Sequence, residues 1–399
     1  VTDERRATAW SFAYHFLLFA AYYMVRPLRD AMGLRGGVKT LPWLFVGTLA
    51  AIAVATPLFA ALVERLPRRR FLPIVYHFFA ANLVLFFFLL RGTPSTAAAR
   101  AFFVWTSVFN LFAVSIFWAF MADRFDRDAA ARRFGVIALG GTLGAMAGAG
   151  ITALFATRLG AINLLLLAAL LLEAAVLCFY RVAAGAQFRA HDADIPKQPI
   201  WHFAIVLARS PYLRALAGYM LLYTFTSTFA YLEQARLVQA AVHGDAARTA
   251  LFARMDLAVN LGSALLQATL TALLLRRAGV TATLLLLPVL TFAGFAALAA
   301  HPSLLVIVVF QVARRTTDYF AARPARELCF VVVGREEKYA AKSFIDTFIY
   351  RGGDALGAGA FGLVGAVAPV VALPLCAAWI FVAIFLGRRQ RRLATCRTS

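Results

Sequence analysis

Gln311 to Asp354 reads QVARRTTDYFAARPARELCFVVVGREEKYAAKSFIDTFIYRGGD, and its opening turns decide the fold. The apolar run Ser303 to Phe310 leads into it without a break. Continued as a helix, it sets Gln311, Arg314, Arg315 and Asp318 at i, i+3, i+4 and i+7, which is one face, with Tyr319 beside them. A charged side chain near the middle of a bilayer costs at least ~2.5 kcal/mol, so it faces a wet cavity or a partner rather than lipid. Two adjacent arginines in such a place point to a cavity that receives anions.

The rest of the chain supports a membrane setting. Its 399 residues are 62% hydrophobic and the mean hydropathy is +0.76. Apolar segments fit at roughly 9–32, 42–62, 71–90, 101–122, 135–156, 160–180, 212–235, 250–275, 280–300, 303–322, 343–367 and 369–387, each about the ~20 residues that cross a hydrocarbon core. The expectation is an all-α membrane protein, with twelve transmembrane helices in two pseudo-symmetric six-helix bundles. VTDERRATAW is charged and the apolar run after it has no small-residue cleavage site, so a removable signal peptide is not expected; Val1 suggests a natural start further upstream.

The net charge of +21 sorts by loop rather than gathering into a nucleic-acid face. Its clusters are Arg65/Arg68/Arg69/Arg70, Arg124/Arg127/Arg132/Arg133 and Arg388/Arg389/Arg391/Arg392, which places both termini on the cytoplasmic side and the loops against anionic lipid. Lysine is rare among the 40 basic residues and alanine abundant, a bias of GC-rich bacterial coding sequence. A bacterial inner (cytoplasmic) membrane is therefore expected. Cys178, Cys329, Cys376 and Cys396 have no metal-ligand spacing, so no disulfide framework, metal or cofactor is read. No Ser–His arrangement or Walker pattern stands out, and a non-enzyme acting as a monomer is expected.

Other polar residues fall on helical faces. In the first span His15, Tyr22, Arg26 and Arg29 recur at +7, +4 and +3, with Pro27 loosening the helix. Snorkelling with a pairing to Asp30 is the competing reading for the arginines. Span four carries Asn110, a helix–helix hydrogen bond or a substrate contact. Gly140, Gly144 and Gly148 in span five read as close helix packing rather than a phosphate loop, since no strand precedes them. Glu233 in span seven is either an acid paired with Arg236 or a cavity acid. Asp256, Asn260 and Gln267 make a stripe in span eight. Arg351 and Asp354 lie beside Gly352 and Gly353 in span eleven.

The polar, proline-bearing stretch RVAAGAQFRAHDADIPKQPIW divides the chain into an N-terminal six-helix bundle (1–185), a cytoplasmic linker (186–210) and a C-terminal six-helix bundle (211–399). ARRFGVIALGGTLGAMAGAG in the first half has a counterpart in AAKSFIDTFIYRGGDALGAGAFG in the second. Such duplication is common in transporters, whose substrate site lies near the midplane at the repeat interface.

ALVERLPRRRFLP, between spans two and three, resembles a degenerate form of the signature found there in the major facilitator superfamily. YYMVRPLRD in span one, FWAFMAD at the end of span four and ARPARELCFVVVGREEKYAAKSFIDTFIYRGGDALGA resemble the ATP/ADP translocases, nucleotide transporters of plastids and intracellular bacteria and distant members of that superfamily. The resemblance runs over nearly all twelve spans. It implies a secondary transporter that exchanges adenine nucleotides by rocker-switch alternating access. By the same resemblance Arg29 and Arg351 stand where the family has lysines, and Glu233 falls near a family acid. The family's acid early in span four has no counterpart among Thr106, Ser107 and Asn110. These departures keep open a major facilitator-type carrier of a non-nucleotide organic anion or other metabolite, coupled to a proton through Glu233.

Arginine offers phosphate a planar fork and keeps its charge when dehydrated. The expected substrate-binding set is Tyr22, Arg26, Arg29, Asn110, Glu233, Arg314, Arg315, Asp318, Tyr319, Arg351 and Asp354. A buried network, with Asp318 neutralising Arg314 or Arg315 and Asp354 neutralising Arg351, is the reading that competes with an anion site.

Overall fold

A computed structural model describes residues 2–65, 68–92, 95–125, 127–184, 205, 207, 209–333, 342 and 344–398. Among these residues the chain is helical, without strands. Lipid offers the backbone no hydrogen-bond partners, so a spanning segment satisfies its own N–H and C=O groups by coiling. The rods of the first part are α1 (Thr2–Gly33), α2 (Leu41–Arg65), α3 (Arg68–Leu90), α4 (Thr96–Arg124), α5 (Arg127–Phe155, widening into a π-turn Ala156–Gly160) and α6 (Leu164–Ala183). They are followed by α7 (Pro211–Ala241), α8 (Asp245–Thr269, resumed at Thr271–Arg277), α9 (Gly279–Ala300), α10 (Leu304–Thr317, continued through a π-turn Asp318–Ala322 to Arg323–Val331), α11 (Tyr350–Val364, after a π-turn Ile345–Ile349) and α12 (Ala368–Thr398). Ser95 and Ser303 cap α4 and α10, their hydroxyls accepting from the amides of Ala98 and Val306. The linker expected over 186–210 lies for the most part outside the described residues.

Eight helical stretches among the described residues are long and apolar enough to cross a membrane; they take in every rod except α1, α7 and α10. Those three carry Arg26 and Arg29, Glu233, and Arg314, Arg315 and Asp318. A rod too polar for lipid must turn its charges inward, so composition alone marks these helices as the ones that line something.

The chain forms two compact units, one of residues 1–194 with 242–260, the other of 195–241 with 261–399. The first unit is built on aromatic packing. Tyr14 meets Tyr76 and Phe117 edge-on at 5.8 and 4.9 Å, and the Tyr76 hydroxyl donates to the carbonyl of Ala113 (2.9 Å). In the second unit Trp379, Tyr219, Leu216 and Leu287 form the core, and the Tyr212 hydroxyl donates to the carbonyl of Cys329 (2.7 Å).

Each unit seats a glycine-rich helix on an earlier one. A Cβ at Gly140, Gly144 or Gly148 of α5 would overlap the backbone carbonyls of Phe12, Phe16 and Ala20 on α1, so close helix packing is the role of that stripe. A Cβ at Gly353 of α11 would overlap the Thr224 hydroxyl on α7, and one at Gly357 would crowd Thr228 and Phe225. The two halves of the sequence repeat thus make the same contact, each within its own unit.

The helix expected to end at 322 continues to Val331, although Pro324 lies in its path. In the π-turn the amide of Arg323 reaches back to the carbonyl of Asp318, which frees the carbonyl of Tyr319. Proline has no N–H, which frees the carbonyl of Phe320 as well. Gln267 Nε2 donates to Tyr319 O (2.9 Å) and Thr271 Oγ1 to Phe320 O (2.7 Å). One turn of α8 thereby satisfies both groups and lets the rod go on.

Candidate functional site

In the first unit α1 presents its polar residues to α4 and α8. Arg26 Nη1 lies 3.1 Å from Asp256 Oδ1, and its guanidinium sits 5.6 Å over the ring of Tyr23. Asp256 is 3% exposed. Arg29 Nε lies 3.8 Å from Asp30 Oδ1, and its guanidinium stacks 4.2 Å over the ring of Phe103. Tyr22, half-buried, lies edge-on to Tyr23 at 5.3 Å and 6.3 Å from Phe109. Asn110, the residue after Phe109, is also half-buried.

His15 does not join this group. Its ring stacks on Phe117 at 4.2 Å, and Nδ1 lies 2.8 Å from the carbonyl of Ile137. It therefore serves the seam between α1, α4 and α5.

The second unit assembles a different cluster on α7. The polar face of α10 meets that helix residue by residue. Gln311 Nε2 donates to Gln234 Oε1 (2.8 Å), and Arg314 donates to Ser227 Oγ (2.9 Å) and to the carbonyl of Tyr223 (3.4 Å). The Tyr223 hydroxyl donates to Asp318 Oδ2 (3.1 Å). The i, i+3, i+7 part of the expected face is thus the one in contact with α7. Arg315 is half-buried, and the Tyr319 ring carries the guanidinium of Arg323 at 4.2 Å.

The acids choose partners that the spacing did not indicate. Asp318 is held by Arg323 (Nε to Oδ2, 2.9 Å), which leaves Arg314 without it. Glu233, 0% exposed, accepts from Arg236 Nε at 2.9 Å and from its Nη2. Asp354 accepts from the Thr228 hydroxyl (3.0 Å) rather than pairing with Arg351. Arg351 is half-buried, 5.9 Å from the ring centre of Tyr350, and among the described residues no carboxylate lies within 4.0 Å of it.

Arg314 stands apart from the other described arginines by its burial. It is 3% exposed, its hydrogen bonds go to two neutral oxygens, and its Nε has no acceptor among the described residues. Taking a guanidinium out of water costs several kcal/mol, which neutral oxygens offset only in part.

Ser227, Thr228 and Arg323 were not among the expected site residues. The run Thr224, Thr226, Ser227, Thr228 carried a signal, since hydroxyls clustered in a spanning helix bond either their own backbone or a neighbour. Thr226 and Thr228 bond their own helix, while Ser227 accepts from α10 and Thr228 reaches α11.

No family model matches the chain, and no curated protein matches it. Solved structures do. A mutant of the nucleoside transporter NupG is 15% identical, with a TM-score of 0.63, over 97% of this chain and 99% of that one. A bacterial homolog of the human lysosomal transporter Spinster, inward-facing and unoccupied, is 14% identical, with a TM-score of 0.60, over 96% and 98%. A second NupG structure is 13% identical, with a TM-score of 0.59, over 97% and 98%. These are likenesses of fold alone: the chain is all-α and shares the fold of these membrane transporters.

Proposed function

We propose that the chain is a secondary transporter that carries a phosphorylated organic anion of the ATP/ADP kind by alternating access, across a bacterial inner membrane. The observation that carries this reading is Arg314, a buried guanidinium whose Nε has no acceptor and which has no carboxylate within 4.0 Å among the described residues. Arg351, also without a carboxylate among the described residues, is a second positive group on the neighbouring α11. Phosphate suits both, because it takes parallel N–H donors and keeps its charge in a dry site. The likeness of YYMVRPLRD and the span-eleven segment to nucleotide exchangers supports a nucleotide, and the fold is one that a nucleoside transporter shares.

Counterflow in proteoliposomes tests it. Vesicles preloaded with ADP should accumulate labelled ATP or ADP faster than labelled inorganic phosphate. If neither nucleotide enters above the protein-free background, the nucleotide is the wrong cargo.

The lone buried arginine also fits a smaller cargo. A single carboxylate or phosphate on a non-nucleotide metabolite would complete Arg314 equally well. Sugar phosphates and dicarboxylates as counterflow partners separate the two readings.

A further inference from the structure

The acids of the polar helices differ in what neutralises them. Asp30 lies 3.8 Å from Arg29, Asp256 3.1 Å from Arg26 and Asp318 2.9 Å from Arg323. Glu233 is clasped by Arg236. Asp354 alone of this set has no cation within 4.0 Å among the described residues and is held by one neutral hydroxyl, that of Thr228.

We propose that Asp354 is the residue that binds a proton together with the cargo anion, in place of Glu233. The inference rests on the anion reading above, and it follows from charge. Asp354 is half-buried; a carboxylate partly withdrawn from water with one neutral donor is costly, and a proton is the cheapest way to relieve it. What opposes protonation is positive charge close by, and the surroundings of Asp354 contain little. From α7, Thr228 and Thr224 are neutral hydroxyls, and Tyr223 lies 6.3 Å from Tyr350, a further neutral phenol on the same helix as Asp354. Asp318 and Arg323, which also face Tyr350, are paired with each other; among the described residues the remaining group is Arg351, three residues earlier on α11, whose field favours the ionised acid without forming a pair.

That arrangement links two binding events. When an anion neutralises Arg351, Asp354 loses the field that kept it ionised and takes up a proton. Conversely, a protonated Asp354 no longer repels the anion. Linkage makes the two effects equal in size. Glu233 cannot play this part while Arg236 occupies both of its oxygens.

Dicyclohexylcarbodiimide, which modifies membrane-buried carboxyls in their protonated form, reads this directly in the purified full-length protein. Peptide mapping by mass spectrometry should find the adduct at Asp354, and not at Glu233, Asp318 or Asp256. Labelling should rise several-fold when ADP is added and disappear in D354N. In R351Q it should be high without ADP and indifferent to it, a response that a purely structural role would not give. Labelling at Glu233, an unmodified Asp354, or an R351Q protein that still responds to ADP overturns the proposal. Asp354 labelling and proton uptake with some other anion, in vesicles that show no nucleotide counterflow, leaves the proton site standing and discards the nucleotide cargo.

Discussion

In the first unit the half-buried Arg26 sits 3.1 Å from Asp256 and Arg29 3.8 Å from Asp30, so both have an anion of the protein's own. In the second unit Arg314 donates to the Ser227 hydroxyl and the Tyr223 carbonyl and lies 5.5 Å from the centre of the Tyr223 ring, while the nearby Asp318 is engaged by Arg323. Matched charges satisfy each other and leave little for a ligand. An unmatched charge costs stability and is retained where something else completes it. On the proposed function, Arg26 and Arg29 of α1 belong chiefly to architecture and Arg314 of α10 chiefly to cargo.

The largest effect should separate the two. Arg26→Met removes the cation 3.1 Å from the buried Asp256 and should cost ~3 kcal/mol, with most of it regained in R26M/D256L. Arg314→Met leaves only neutral oxygens behind and should keep or raise the melting temperature in detergent. Equal losses of melting temperature for R26M and R314M would erase the distinction.

The glycine seams sharpen the comparison at a smaller scale. Gly144→Ala drives a methyl group into the Phe16 carbonyl, which cannot rotate away, and should cost about 2–3 kcal/mol. Gly353→Ala meets the Thr224 hydroxyl, a side-chain atom, so it should cost about 1 kcal/mol and be partly recovered by adding Thr224→Ala. Chemical denaturation of reconstituted protein would compare all three; a G144A protein as stable as G353A contradicts the backbone contact.

Smallest is the repair of the α10 turn. Gln267→Leu strands the Tyr319 carbonyl and should lower stability by about 1 kcal/mol, with faster amide exchange confined to 318–331. Uniform exchange along α10 in that variant would mean that the turn does not depend on α8.

The helices themselves were legible because each needs an apolar run of bilayer length, and the polar face of α10 was legible because Gln311, Arg314 and Asp318 keep helical spacing. Where α10 ends was not. Pro324 reads as a stop, and what cancels it is a pair of side chains, Gln267 and Thr271, contributed by another helix. Partner choice was hidden for the same reason. Proximity in sequence suggested Asp318 for Arg314 and Asp354 for Arg351, yet packing against α7 drew each acid to a different donor. Asp256, recognised as part of a polar stripe, could not be tied to Arg26 by periodicity, since the two lie on helices far apart in the chain. His15 shares the spacing of the α1 arginines but is consumed by the α5 seam.

The measurement that bears most directly on the unmatched guanidinium is equilibrium binding of labelled ADP to purified wild-type protein and to R314M, with melting temperatures recorded alongside. The account predicts saturable binding by the wild type and at least tenfold weaker binding by R314M, about the worth of one charge-assisted hydrogen bond, at an undiminished melting temperature. Wild-type affinity in R314M would contradict it, and Arg314 would then be a structural residue like Arg26.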